Sequence, residues 1–182
     1  MDIGEEPMIN IEIHNDDRQR AVEILKSKNF GNRSSGFNGN YEKQYTGLIG
    51  ELTVHRLLGL DSPNYNEGRI DTDVLINNKK VDIKSMLRKY DMRDSWVHNF
   101  VGYQKEIGSD VLLFVNINRN TKTVQICGWL DKKNFLETAD FYNKGDTRTR
   151  DDKTSFKTKA PLYEIKQEKL NKLNNINDLK NI

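Results

Sequence analysis

The chain is poor in the residues that build cross-links and soft-metal sites: one cysteine and three histidines in 182 residues. A single thiol, Cys127, excludes an internal disulfide. With His14, His55 and His98 scattered along the sequence, a zinc site of the Cys/His type is excluded as well. No apolar run approaches the ~20 residues of a membrane span. The opening Met1-Asp2-Ile3-Gly4-Glu5-Glu6 is acidic, unlike a signal or transit peptide. An intracellular protein with no membrane partner is therefore expected. A large charge of one sign is also missing, since the formal net charge is only +2. Bulk charge alone thus gives no nucleic-acid signature. Hydrophobic residues make up 35% and charged residues 31%, which predicts one domain with a compact core and a polar surface. No internal repeat is visible.

What is present is concentrated between Asp71 and Ser85. Val74-Leu75-Ile76 and Val81-Asp82-Ile83 are rich in β-formers and flank Asn77-Asn78-Lys79-Lys80. Asn77-Asn78 tolerates the positive φ that a tight hairpin turn demands. Asp82 and Lys84 are two residues apart and leave one face of their strand, while Val81 and Ile83 leave the other toward a core. Asp73 precedes Asp82 by nine residues, so the turn can bring the two carboxylates to one end of the hairpin. Asp71 competes with Asp73 for that place. Two carboxylates and an ammonium at one spot are the minimum for holding a divalent cation and activating water against a phosphodiester. An ordinary solvated sheet face would show the same alternation.

Upstream, residues 41 to 58 read as a helix, with Leu48, Leu52, Leu57 and Leu58 at spacings near 3.6. Glu51 falls inside that apolar sector. Gly47 and Gly50 each cost a helix about 1 kcal/mol relative to Ala. Their retention beside a carboxylate predicts a close approach of the helix backbone, as to a sheet.

Taken together, Gly47-x-x-Gly50-Glu51-x-x-Val54-x-x-Leu57-Leu58, then Asp73, then Asp82-Ile83-Lys84 resembles the active-site pattern of the PD-(D/E)xK nuclease superfamily. The resemblance runs from about Tyr41 to Val115. One departure is the missing proline: Thr72 precedes Asp73, and Ile70 precedes Asp71. Asp73 is preferred as the ligand because it abuts the Val-Leu-Ile strand, as the family pattern has it. The resemblance implies an α/β fold, a restriction-endonuclease-like mixed β-sheet core flanked by helices. It implies a metal-dependent nuclease hydrolysing phosphodiester bonds in DNA, read here as an endonuclease. Asp73, Asp82 and the Ile83 carbonyl would hold the metal, and Glu51 would bind it through water or orient the nucleophile. Lys84 would stabilise charge, and Gln104 would sit on a helix after the lysine, aimed at the phosphate. With Cys/His ligation excluded, the metal is oxygen-ligated Mg²⁺, with Mn²⁺ able to substitute. One such site cuts one strand, so duplex cleavage calls for a homodimer or repositioning. A catalytically inactive nucleic-acid-binding protein of the same fold is the alternative, and an interaction domain with solvated hairpin ends is a third reading. The Asn/Lys-rich composition hints at an AT-rich genome, such as a phage's.

The catalytic core is expected over residues 41–130, after an N-terminal strand (Ile9, Ile11, Ile13), a helix to Lys28 opened by an Asp16/Gln19 capping box, and a polar loop from Asn29 to Asn40 containing Arg33. That loop either closes over nucleic acid or connects two helices. Residues 94–104 are expected to include an aromatic helix; His98 in it is a weaker phosphate candidate, better read as a satisfied imidazole. Val111–Val115 reads as a strand covered on both faces, Thr123–Trp129 as the next strand, and Asp131 as the cap of a short helix. In the basic loop expected over residues 140–160, the stretch from Lys144 to Lys159 holds six cations, Lys144, Arg148, Arg150, Lys153, Lys157 and Lys159, against three acids, Asp146, Asp151 and Asp152. This segment reads as a mobile loop that lies along a phosphate backbone or is merely solvated. Leu162–Ile165 is the last expected strand, followed by a helix or tail.

Overall fold

The structure is a computed structural model that describes residues 8–28, 39–65 and 72–182. It is a mixed α/β protein. Its centre is a five-stranded mixed sheet in the order β1-β6-β5-β3-β2, formed by β1 (Ile9–Glu12), β2 (Val74–Ile76), β3 (Lys79–Arg88), β5 (Val111–Asn118) and β6 (Thr123–Asp131). β3 and β5 are parallel, and the other pairs are antiparallel.

The β2–β3 hairpin turns on Asn77 and Asn78, both left-handed at φ 49° and 63°. This is the geometry a two-residue turn matched to strand twist requires. β5 is buried along its whole length, Val111 to Asn118, which explains its continuous apolar run. One face of the sheet carries Val81, Ile83, Val111, Leu113, Val115 and Ile126 against helices α1 (Asn15–Ser27) and α2 (Tyr41–Leu57). The opposite face carries Leu112, Phe114 and Cys127. It is covered by α3 (Lys132–Thr138) and by a second sheet in the order β4-β10-β7, formed by β4 (Val97–Val101), β7 (Asp140–Tyr142) and β10 (Leu162–Lys166). Helices on both faces were expected; a three-stranded sheet does most of that work on the second face.

Several local expectations are corrected. Residues 97–101 form strand β4, with only one 3-10 turn after it at Gly102–Gln104. Burial in β4 alternates, His98 and Phe100 inward and the valines half-exposed, so period 2 wins over the helical spacing of Trp96, Phe100 and Tyr103. Helix α1 starts at Asn15 with no side-chain cap, and Asp17 instead pairs with Arg56 of α2 at 2.9 Å. The basic segment is an ordered hairpin of β8 (Thr147–Thr149) and β9 (Ser155–Lys157), and the C-terminal stretch forms 3-10 turns. Asp131 does precede α3, but its side chain makes no cap bond. The strands at Ile9, Val111, Thr123 and Leu162 stand where expected.

Gly50 fixes the distance between α2 and the sheet. A Cβ there would lie 2.0 Å from Ser85 Oγ and 3.1 Å from Ser85 Cβ, whereas a Cβ on Gly47 would meet nothing within 4 Å. The close approach read from the sequence therefore belongs to Gly50 alone. Gly47→Ala should gain up to about 1 kcal/mol from helix propensity. Gly50→Ala should lower the melting temperature, and Ser85→Gly in the same chain should recover part of the loss. Equal stabilisation by both alanines in urea melts would show that the helix does not press on Ser85.

Candidate functional site

β2 pairs with β3 only from Lys79 to Val81, while β3 runs on to Arg88. Where β2 leaves, a fork opens at the edge of the sheet. The Asp73 carboxylate crosses it: its Oδ2 accepts a 2.6 Å hydrogen bond from the Ile83 backbone N–H. Thr72 Oγ1, 3.2 Å from the Val81 carbonyl, secures the same place. His55 of α2 holds Asp73 from behind, with Nε2 2.8 Å from the Asp73 carbonyl and Nδ1 3.0 Å from the Asp61 carbonyl.

The remaining acids come from α2 and β3. Glu51 follows Gly50, and the hydroxyl of Tyr65 donates to its Oε2 at 2.7 Å. Asp82 is buried, and its Oδ2 lies 2.8 Å from Lys84 Nζ. That contact is an ion pair without the direction of a hydrogen bond, so Oδ2 has no hydrogen-bond donor. Lys84 Nζ instead donates to Gln104 Oε1 at 2.9 Å. Glu51, Asp73, Asp82, Lys84 and Gln104 are thus one electrostatic neighbourhood. Asp71 and Arg33 lie outside the described residues.

The charges in this neighbourhood are unbalanced. Burial pushes Glu51 up to about 7; the Tyr65 hydrogen bond opposes that, Asp82 adds to it, and Lys84 partly offsets it. Burial first, then repulsion from Glu51 and Asp82, raises Asp73 well above the usual carboxylate range. One ammonium does not neutralise three carboxylates, and a divalent cation would. The donor set is all oxygen, suited to Mg²⁺ or Mn²⁺. Among the described residues, however, no three His, Cys, Asp or Glu side chains already stand as a metal-holding group. Asp73, Glu51 and Asp82 each have an oxygen turned to Ile83, Tyr65 and Lys84 respectively. The donor set fits a hard cation by charge and chemistry, with these contacts to be exchanged for the ion.

Two residues of the site carried no signal in the sequence. Tyr65 lies in an irregular polar stretch. Lys132 is the first residue of α3 and is buried; its Nζ donates to the Ile107 carbonyl. Burial lowers its pKa, and the nearby Asp82 counteracts this. By holding Ile107, Lys132 steadies the turn that carries Gln104, since Ile107 N–H bonds the Gln104 carbonyl at 3.1 Å. His98, by contrast, is fully buried away from this network. Its Nε2 is 2.6 Å from Gln167 Oε1, and burial drops its pKa to about 4.

The basic hairpin differs residue by residue. Arg148 forms an ion pair with the buried Glu164 and lies 4.4 Å from the Tyr142 ring, so its charge is already answered. Arg150 lies 4.5 Å from the Phe156 ring and bonds Thr154. Lys144 and Lys153 are exposed, Lys153 on the turn at φ 66°.

Compared with protein-family models, curated proteins and solved structures, the chain finds no match in any of the three, so sequence likeness assigns no family. Among the described residues no helix is long and apolar enough to cross a membrane.

Two outcomes follow from these charges. A carboxyl whose folded pKa is raised stabilises the fold below its unfolded pKa, and that stabilisation is lost as pH rises toward the folded value. For Glu51 the window runs from its ordinary 4.5 to about 7. In EDTA, Glu51→Gln should therefore become increasingly more stable than the wild type between pH 5 and pH 8; a melting-temperature difference that ignores pH would contradict the assignment. Arg148→Ala should destabilise the fold, because it strands the buried Glu164, while Lys153→Ala should leave thermal melting unchanged.

Proposed function

We propose that this chain is a metal-dependent nuclease that hydrolyses phosphodiester bonds in DNA, an endonuclease built on a restriction-endonuclease-like core. The observation that carries this reading is the fork itself. Separate elements converge on the same partly buried edge: α2 brings Glu51, the residue before β2 is Asp73, β3 brings Asp82 and Lys84, and the turn after β4 brings Gln104. Binding a polyanion needs no buried carboxylates, and burying three beside it would work against binding. Their retention favours a cation-dependent reaction over an inactive binding protein of the same fold.

In this reading Asp73, Asp82 and the Ile83 carbonyl would hold Mg²⁺ or Mn²⁺. When bound, the ion lowers the pKa of water and offsets charge on the phosphate. Glu51, kept in place by Tyr65, orients the attacking water. Lys84 places its positive charge beside the phosphate oxygens, where negative charge builds up during the attack. Gln104 fixes the ammonium's direction and reaches toward the phosphate. His55 and Lys132 are positioning residues: the first holds the Asp73 backbone, the second the Gln104 turn. A single site of this kind cuts one strand, so duplex cleavage requires a second copy or a second encounter.

The test is cleavage of labelled linear, nicked, branched and RNA substrates in Mg²⁺ and in Mn²⁺. Asp82→Ala and Lys84→Ala should each lower the cleavage rate at least about a hundredfold with unchanged circular dichroism. Asp82→Ala should also weaken metal binding by calorimetry, and Lys84→Ala should not. Wild-type rates in either variant would remove the assignment. Binding without cleavage by the unaltered protein would favour the inactive relative.

A further inference from the structure

Beyond the fork, β3 continues from Ile83 to Arg88 with β5 on one side and no strand on the other among the described residues. β4 is likewise the edge strand of its own sheet. The two edges run side by side: Lys84 lies 5.2 Å from the Phe100 ring near one end of β4, and Arg88 donates to the Val97 carbonyl at the other, at 2.5 Å. Lys84 and Gln104 stand together at the first of these ends. Asp82, Lys84 and Arg88 leave the same face of β3, so Arg88 stands roughly 13 Å along the strand from Lys84.

That far end holds an arrangement the fork does not explain. Arg88 and Arg93 lie 5.4 Å and 5.3 Å from the ring centre of the same indole, Trp96. Among the described residues neither guanidinium has a carboxylate within ion-pair distance. The two nearby acids are engaged elsewhere, Asp91 by Asn118 at 2.6 Å and Asp94 by Lys172 at 3.2 Å. Arg88 Nε and Asn99 Oδ1 are buried without hydrogen-bond partners. Arg93 and Tyr90 are exposed at the rim. Two like charges sharing one ring repel each other unless an anion lies within reach. Two guanidiniums held on one indole offer donors to a phosphate, and the exposed Arg93 offers a flat plane to a base.

We propose that Arg88, Trp96 and Arg93 form a second nucleic-acid subsite, which grips the backbone of the strand whose scissile phosphate lies at Lys84. The inference rests on the nuclease reading of the fork and adds to it the path of the substrate. At ~3.4 Å per stacked nucleotide the subsite is reached about four nucleotides from the cut. Substrates shorter than that engage the fork alone, and longer ones gain a phosphate contact and a stacking contact.

The test uses the full chain in Ca²⁺, with fluorescence anisotropy on single-stranded tetramers and dodecamers across a salt series. Arg93→Glu, an exposed change, should weaken dodecamer binding about tenfold and lower the salt slope by about one, and should leave tetramer affinity and thermal melting at wild-type values. Trp96→Leu should reduce the gain from tetramer to dodecamer without changing the salt slope. Dodecamer binding untouched by Arg93→Glu, while the wild type still binds and cleaves, overturns the subsite and leaves the nuclease reading standing. Loss of inorganic-phosphate binding alone in Arg93→Glu, with oligonucleotide affinity unchanged, also overturns it, as a site for free anions. A wild type that neither binds nor cleaves any oligonucleotide overturns both.

Discussion

Backbone pairing between β2 and β3 stops at Val81, and from there a side chain takes over: the Ile83 N–H that would bond the next residue of β2 bonds the Asp73 carboxylate instead, at 2.6 Å. This substitution lets the strands part without leaving a buried amide unsatisfied. Because they part, the β3 edge is free to receive Glu51 from α2 and Gln104 from the turn after β4. Because Asp73 is the residue that bridges, a carboxylate is held at the mouth of the fork. The Asn77-Asn78 turn makes the hairpin, and this one hydrogen bond, supported from behind by His55, opens its edge and sets the acidic site there.

The cost of the arrangement is electrostatic. Three carboxylates share a partly buried edge with one ammonium close to Asp82, and the fold responds by raising the proton affinity of Glu51 and Asp73. Apolar replacements of similar volume would avoid that desolvation penalty. Each acid is nevertheless held by a specific neighbour, Tyr65, Ile83 or Lys84, so the cluster is ordered. Lys132 extends the same logic: a buried cation bonded to the Ile107 carbonyl both steadies the Gln104 turn and adds positive potential at Asp82.

Much of this is legible in the local sequence. The Asn77-Asn78 turn, the two-faced burial of β5 and the glycine beside Glu51 were each announced by local chemistry, and each stands in the fold. The failures share a cause. Residues 97–101 carry both a period of two and an aromatic spacing near four, and only pairing with β10 decides between them. Asp16 has the local signature of a cap, yet the helix already runs from Asn15, and its first-turn acid Asp17 is drawn to Arg56 on a different helix. Arg148 looked free because its counter-ion, Glu164, is sixteen residues away and reaches it only through the second sheet.

The sequence alone determined the parts whose cause lies within a few residues: which segments are strands or helices by period, where the chain can turn, which metal chemistry its ligand types permit. The tertiary structure decided what depends on distant segments meeting. It put Tyr65 on Glu51, His55 on the Asp73 backbone, Lys132 beneath the Gln104 turn and two arginines on Trp96. None of these pairs has a spacing that encodes its contact, because what joins them is the packing of helices and a second sheet against β3, and packing depends on the shape of the whole chain.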